Sequence, residues 1–227
     1  MTSIAQQLAL VRDRIACAAE RVGRDPAAIT LVAVSKRVEA GRLREALDAG
    51  QAVFGENYLQ EAAAKIAELP DVAWHFIGGI QSNKLKMIAE IFDVVETVDR
   101  LKVARELERH LANMGKVMPV YLQVNIGREA QKSGVLPEEV DQCVAGIIQC
   151  PHLRLAGLMA MPPYHPDPEA SREYFRQMKR LAGSLMQRGV VAYDLGLSMG
   201  MSGDYEVAIE EGATVVRVGS ALFGQRS

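Results

Sequence analysis

The feature that most constrains this chain is an alternation of two textures. Short β-branched or apolar runs are followed, over and over, by longer stretches rich in Ala, Leu, Glu and Arg. Repeated βα units have this pattern, because a parallel sheet needs a helix to return the chain to the edge where the next strand begins. The runs that read as strands are Thr30–Ser35, Ala52–Phe54, Ala73–Ile77, Val94–Thr97, Met118–Asn125, Arg154–Met159, Ala192–Leu197 and Thr214–Val218. About eight such units in 227 residues predict an α/β fold, a single TIM-type (β/α)8 barrel. Ahead of the first strand, Ile4 to Val22 carries apolar residues at Ile4, Leu8, Val11, Ile15 and Ala18, the spacing of an amphipathic helix. It is an extra N-terminal element. No Gly/Ser/Pro linker divides the chain, so residues 1–227 read as one domain, with the proline-dense Met161–Pro168 as the loop after strand six.

Composition narrows the setting. A formal net charge of −2 gives no global field to attract nucleic acid, although a small phosphate needs only a local pocket. The three cysteines, Cys17, Cys143 and Cys150, are odd in number and lack metal-ligand spacing, which speaks against a disulfide framework and a zinc site alike. The first 24 residues have no continuous apolar stretch and include Asp13 and Glu20, unlike a signal or transit peptide. No run approaches the roughly 18 apolar residues of a membrane span. The expected compartment is a reducing cytoplasm.

In such a barrel, side chains that do chemistry sit at the C-terminal ends of the strands, where the βα loops converge. The first strand, Leu31-Val-Ala-Val-Ser-Lys36, is apolar until Lys36, which places an amine at the upper rim. Partial burial there lowers a lysine pKa and frees it as a nucleophile, whereas the bland alternative is a lysine that exits to solvent. The loops after strands seven and eight commonly form a phosphate site. Here Leu197-Ser-Met-Gly-Met-Ser-Gly-Asp204 offers two hydroxyls and accessible backbone N–H groups before a helical stretch. Val215-Val-Arg-Val-Gly-Ser-Ala221 adds Gly219 and the hydroxyl of Ser220. Either loop alone also reads as ordinary turn and cap chemistry. The pair together is more specific.

The segments Leu31-Val-Ala-Val-Ser-Lys36, Phe54-Gly-Glu-Asn-Tyr58, His75-Phe-Ile-Gly-Gly-Ile-Gln-Ser-Asn-Lys84, Gly157-Leu-Met-Ala-Met161, Leu197-Ser-Met-Gly-Met-Ser202 and Val216-Arg-Val-Gly-Ser220 resemble, in order and over nearly the whole chain, the motifs of the pyridoxal phosphate homeostasis proteins, also called the YggS or PROSC family. Small departures are Gly79-Ile80, where a less glycine-rich pair is expected, and Ser220 in place of the usual threonine. The resemblance implies a barrel similar to the N-terminal domain of alanine racemase, with pyridoxal 5'-phosphate (PLP) as an internal aldimine on Lys36. It implies Arg217 against the pyridine nitrogen, and Ser198, Ser202, Gly219 and Ser220 around the phosphate. A guanidinium can donate to the ring nitrogen but not accept from it, which leaves that nitrogen unprotonated and the ring a weak electron sink. Arg217 also reads as a structural ion-pair partner.

Asn57 reads either as a ligand of the cofactor ring or as plain turn chemistry after glycine. His75, between Trp74 and Phe76, alternates to one barrel face and by itself reads as a satisfied core histidine; the family motif lifts it toward the cofactor pocket. Lys84 and Lys132 are in βα loops, solvated by default and PLP-handling in the minority reading. No residue is assigned a catalytic role and none a metal.

Related racemases carry a second, β-rich domain that supplies a catalytic tyrosine. This sequence stops at Ser227, nine residues past Val218, so the expectation is a barrel without that domain. The function implied is non-catalytic: binding of PLP and its delivery to apo PLP-dependent enzymes in vitamin B6 homeostasis, by a monomer. The alternatives are a weak PLP-dependent racemase or related amino-acid enzyme, and a cofactor-free phosphate-binding barrel.

Overall fold

The computed structural model describes residues 3–224, in which eight parallel strands close into a barrel in chain order, β1 pairing with both β2 and β8. The chain's two first residues and its last three, Ser227 among them, lie outside the described residues. The strands are β1 (Thr30–Val34), β2 (Val53–Glu56), β3 (Ala73–Phe76), β4 (Val94–Val98), β5 (Met118–Val124), β6 (Leu153–Ala160), β7 (Gly196–Ser198) and β8 (Val215–Val218). The helices are α1 (Ile4–Glu20), α2 (Ala40–Asp48), α3 (Leu59–Glu68), α4 (Leu85–Ile91), α5 (Leu101–Met114), α6 (Val140–Ile148), α7 (Arg172–Gln187), α8 (Tyr205–Glu210) and α9 (Ser220–Phe223). This is the expected (β/α)8 barrel with its extra N-terminal helix.

Strand alternation sorts the apolar residues into two cores. Leu31, Ala33, Trp74, Phe76, Val216 and Val218 join the large cluster that fills the space between strands and helices. Val32, Tyr121, Met159 and Val215 come from four different strands and still pack together, which only the barrel interior allows. The two parities place Lys36 in register with Val32, and Arg217 in register with Val215, on the side that opens at the barrel mouth.

Helix α1 starts at a capping box in which Ser3 Oγ accepts from the Gln6 N–H and Gln6 Oε1 accepts from the Ser3 N–H. Its buried face is Ile4, Leu8, Val11, Ile15 and Ala18, the stripe read from the sequence. It packs on α2, α8 and α9, and Arg21 Nε reaches Glu210 Oε1 at 2.8 Å. Strand ends fall within one residue of expectation except in two strands. β2 runs on to Glu56, and β7 begins only at Gly196 because Ala192, Tyr193 and Asp194 are exposed. Ahead of β7, Val190 and Val191 close α7: Gly189 turns with φ +71°, and Val191 is buried in the outer core. Among the described residues no helix is long and apolar enough to cross a membrane.

Candidate functional site

A cavity of about 510 Å³ opens at the C-terminal mouth of the barrel, within the size range of small-molecule pockets. Six of the eight residues singled out in the sequence line it: Lys36, Asn57, Ser202, Arg217, Gly219 and Ser220. Val34, Ile77 and Met161 supply apolar wall, and Pro162 to His165 of the proline-rich loop cover one side.

Lys36 stands two residues beyond β1, half-buried, at the rim. The next residue, Arg37, takes a left-handed φ of 58° and turns the chain away into α2. Beside Lys36, Asn57 follows the neighbouring β2, and its backbone is packed hard against Gly78. A Cβ on Gly78 would stand 2.2 Å from the Asn57 carbonyl oxygen, so only glycine leaves Asn57 its place. Asn57 Oδ1 is buried and has no hydrogen-bond partner among the described residues.

The loop after β7 forms a small cup with the start of α9. Ser202 Oγ accepts from the N–H of Gly219 at 3.1 Å and from that of Ala221 at 3.4 Å. Asp204 Oδ1 accepts from the Met201 N–H at 2.7 Å and closes the loop on itself. Gly200, with φ +93°, accepts from the Arg217 N–H at 3.0 Å, tying this loop to β8. The helices behind the cup have only six and four residues, so hydroxyls and individual N–H groups, not long helix dipoles, make up the donor set.

His75 and Ser198 do not line the cavity. Both point into the barrel beneath it, where they join Arg217 through Glu96 of β4. His75 Nδ1 lies 2.6 Å from Glu96 Oε1, and because a carboxylate can only accept, the nitrogen carries the proton that is donated. Ser198 Oγ donates to Glu96 Oε2 at 2.5 Å and accepts from Arg217 Nη1. Arg217 Nη2 donates to the Ala160 carbonyl at 3.0 Å, and Nη1 is 3.6 Å from Glu96 Oε2. Ser198 therefore differs from its expected position at the phosphate: β7 extends through it, so strand alternation turns its hydroxyl inward. Burial pushes the Glu96 carboxyl up, but the hydrogen bond and charge of His75, the Arg217 charge and the Ser198 hydrogen bond outweigh it and hold the group below the usual carboxylate range. Burial draws the Arg217 guanidinium down, opposed by Glu96 and Asp204. Nearby, burial and the Glu96 charge push the Tyr121 phenol up to about 12. The result is one fixed guanidinium facing the cavity floor, an amine at its rim and a small cup around Ser202 at its side.

Comparison with known proteins agrees with this geometry. Residues 7–227 match the family model described as alanine racemase, N-terminal domain. The pyridoxal phosphate homeostasis protein of Pseudomonas aeruginosa is 48% identical to this chain, covering 100% of it and 97% of the relative. The protein of that description from Escherichia coli K12 is 44% identical, covering 100% and 98%. The chain belongs to the pyridoxal phosphate homeostasis proteins. Another similar structure is PipY of Synechococcus elongatus with PLP bound, 36% identical with a TM-score of 0.85, covering 98% of this chain and 100% of that one. An alanine racemase from Clostridium difficile shares the fold at 14% identity and a TM-score of 0.68, and the match spans 56% of that longer chain.

Two features of this homeostasis-family barrel were not singled out in the sequence, and one lysine that was singled out has a different role. Glu96 is a carboxylate in the apolar run Val94-Val-Glu-Thr-Val98, in register with the inward Val94, and that parity was its available signal. A second buried cluster joins Ser35 to Glu56, Glu61 and Lys65. Glu56 lies inside the quoted Phe54–Tyr58 motif, and Glu61 and Lys65 are an i,i+4 pair on α3, but the reach of Lys65 to Ser35 spans 30 positions. Finally, Lys132 is no solvated lysine: its Nζ donates to the Pro162 carbonyl at 2.9 Å and pairs with Glu129, holding the start of the proline-rich loop. Lys84 is exposed, and neither of these lysines lines the cavity.

Proposed function

We propose that this chain is a non-catalytic PLP-binding protein of vitamin B6 homeostasis, which holds PLP covalently on Lys36 and hands it to apo PLP-dependent enzymes. The observation that carries the reading is the convergence of Lys36, Asn57, Ser202, Arg217, Gly219 and Ser220, far apart in sequence, on one cavity of about 510 Å³. The residues suit the group. An unpartnered buried amide oxygen on Asn57 and the Ser202 and Ser220 hydroxyls at the cavity wall are polar features that a phosphorylated, hydroxylated ring can engage. When bound, PLP supplies an aldehyde carbon that a lysine amine can attack with loss of water.

Each residue then has a task. Lys36 presents the amine. Ser202, Ser220 and the backbone at Gly219 would hold the phosphate, and Val34, Ile77 and Met161 would give the ring an apolar wall. Arg217 would direct N–H groups at the ring nitrogen, and because guanidinium has no acceptor, that nitrogen would take no proton. Glu96, His75 and Ser198 keep the guanidinium in place from below. A neutral ring nitrogen withdraws electrons poorly, which disfavours loss of an amino acid's α proton and favours storage over turnover. The three cysteines are free thiols, in keeping with a reducing cytoplasm, and we take the working form to be a monomer.

The test pairs two assays on the PLP-loaded protein. Transfer of PLP to an apo aminotransferase should restore its activity, while α-proton exchange of alanine in heavy water should proceed no faster than with free PLP. Stereospecific exchange at enzymatic rates that disappears in Lys36→Ala contradicts the carrier reading and makes the protein an amino-acid enzyme.

A further inference from the structure

We infer that Lys65, together with Glu56 and Glu61, is a positioning unit for Lys36: it fixes the two residues that flank this lysine and so aims its amine into the cavity. The inference rests on the reading of Lys36 as the attachment lysine.

Lys65 is on α3, a helix that contributes no lining to the cavity, and its side chain is 7% exposed. An ammonium so deeply buried is tolerated only when its donors are matched. Here all three N–H groups have acceptors: the Ser35 carbonyl at 2.7 Å, Glu56 Oε1 at 2.7 Å and Glu61 Oε1 at 2.5 Å. Those carboxylate oxygens are shared with the residues beside Lys36. Glu56 Oε1 also accepts from Ser35 Oγ at 2.7 Å, and Glu61 Oε1 also accepts from the Arg37 N–H at 2.5 Å. Ser35 is therefore gripped through both its carbonyl and its hydroxyl, and Arg37 through its amide.

Arg37 has φ +58°, a left-handed conformation that a residue with a Cβ holds only where its surroundings over-determine it. The Glu61 contact is such a constraint. Without it the chain after β1 is free to relax toward an ordinary conformation, and Lys36 would swing with it. An ion cluster serving the core alone could sit anywhere in the shell between strands and helices. This one sends its bonds to the two peptide groups on either side of a single functional side chain. Glu56 Oε2 remains buried without a partner, so the cluster is not arranged for its own complete satisfaction.

The experiment uses two probes on the full chain: PLP, and pyridoxine 5'-phosphate, whose alcohol fills the same cavity but cannot be attacked by an amine. Attachment of PLP is followed by stopped-flow absorbance and by mass spectrometry of the borohydride-reduced peptide. Binding of pyridoxine 5'-phosphate is followed by calorimetry. Lys65→Met should slow attachment about tenfold or more, as expected when a reacting group is displaced by roughly an ångström. Its affinity for pyridoxine 5'-phosphate should stay within about twofold, since the three hydrogen bonds of Lys65 go to Ser35, Glu56 and Glu61 and not to the cup residues Ser202, Gly219 and Ser220. Lys65→Arg should restore most of the attachment rate. Glu61→Gln, which leaves Lys65 with Glu56 and Ser35, should slow attachment less and guards against a Lys65→Met protein that does not fold. Unchanged attachment in both variants, or equal loss for both probes, overturns the inference. Wild-type protein that forms no adduct on Lys36 overturns the underlying reading instead, and does so before any variant is made.

Discussion

Replacing Glu96 with Gln tests whether Arg217 depends on the carboxylate beneath it. Glu96 is fully buried, accepts from His75 and Ser198, and lies 3.6 Å from the equally buried Arg217 guanidinium. Glutamine keeps the shape but removes the charge, leaving the guanidinium without its counter-ion in the barrel interior. Breaking a buried pair in this way costs about 3 kcal/mol or somewhat more. For a chain of 227 residues that corresponds to a fall in melting temperature of roughly 6–12 °C. The pH dependence follows from the direction of the shift. Glu96 is held below the usual carboxylate range in the fold, so its contribution is present above the unfolded-state value and is lost as pH falls through the folded one. Wild-type protein should therefore lose stability as the pH falls below the usual carboxylate range, and Glu96→Gln should lose less over the same interval. Differential scanning calorimetry at neutral and acidic pH reads both effects. Replacing the pair together, as Glu96→Leu with Arg217→Met, should recover part of the loss because no uncompensated charge remains. A fall of under about 2 °C at neutral pH, or a double variant whose loss equals the sum of the single ones, would show that the two side chains are not coupled.

Two further outcomes are expected. Gly78→Ala places a methyl 2.2 Å from the Asn57 carbonyl oxygen and 2.8 Å from its Cα, so urea unfolding should show a loss of about 1–3 kcal/mol, accompanied by weaker PLP binding as Asn57 is displaced. Normal stability and normal PLP binding would mean that the β2 and β3 loops yield without consequence. Ser202→Ala removes the oxygen that gathers the Gly219 and Ala221 N–H groups, and should weaken PLP by about 0.5–1.5 kcal/mol while leaving unphosphorylated pyridoxal nearly unaffected. Equal loss for both ligands in paired titrations contradicts a phosphate role for the cup.

Alternation made the barrel legible. The parity of Val32, Lys36, Val215 and Arg217 can be read from their spacing, and the structure brings those two functional residues to one cavity. Boundaries were less legible at β7, where the run Ala192–Leu197 gives way to a strand over Gly196–Ser198. That short displacement moved Ser198 from a loop into a strand, and so from the cup into the barrel. Polar partners were hardest to foresee. Glu96 meets Ser198 across 102 positions and Arg217 across 121, and Lys65 meets Ser35 across 30; nothing local in the sequence pairs such residues. Only the closed barrel, by bringing β3, β4, β7 and β8 to a common interior, supplies the reason for His75 and Glu96 to be polar at all.

The most direct measurement is the site of covalent attachment. Protein loaded with PLP, reduced with borohydride and digested should carry the cofactor on the peptide containing Ser35-Lys36-Arg37, and Lys36→Ala should carry none there while still binding PLP noncovalently through the cup. An adduct found instead on Lys84 or Lys132, or a wild-type protein that takes up no PLP, contradicts the account.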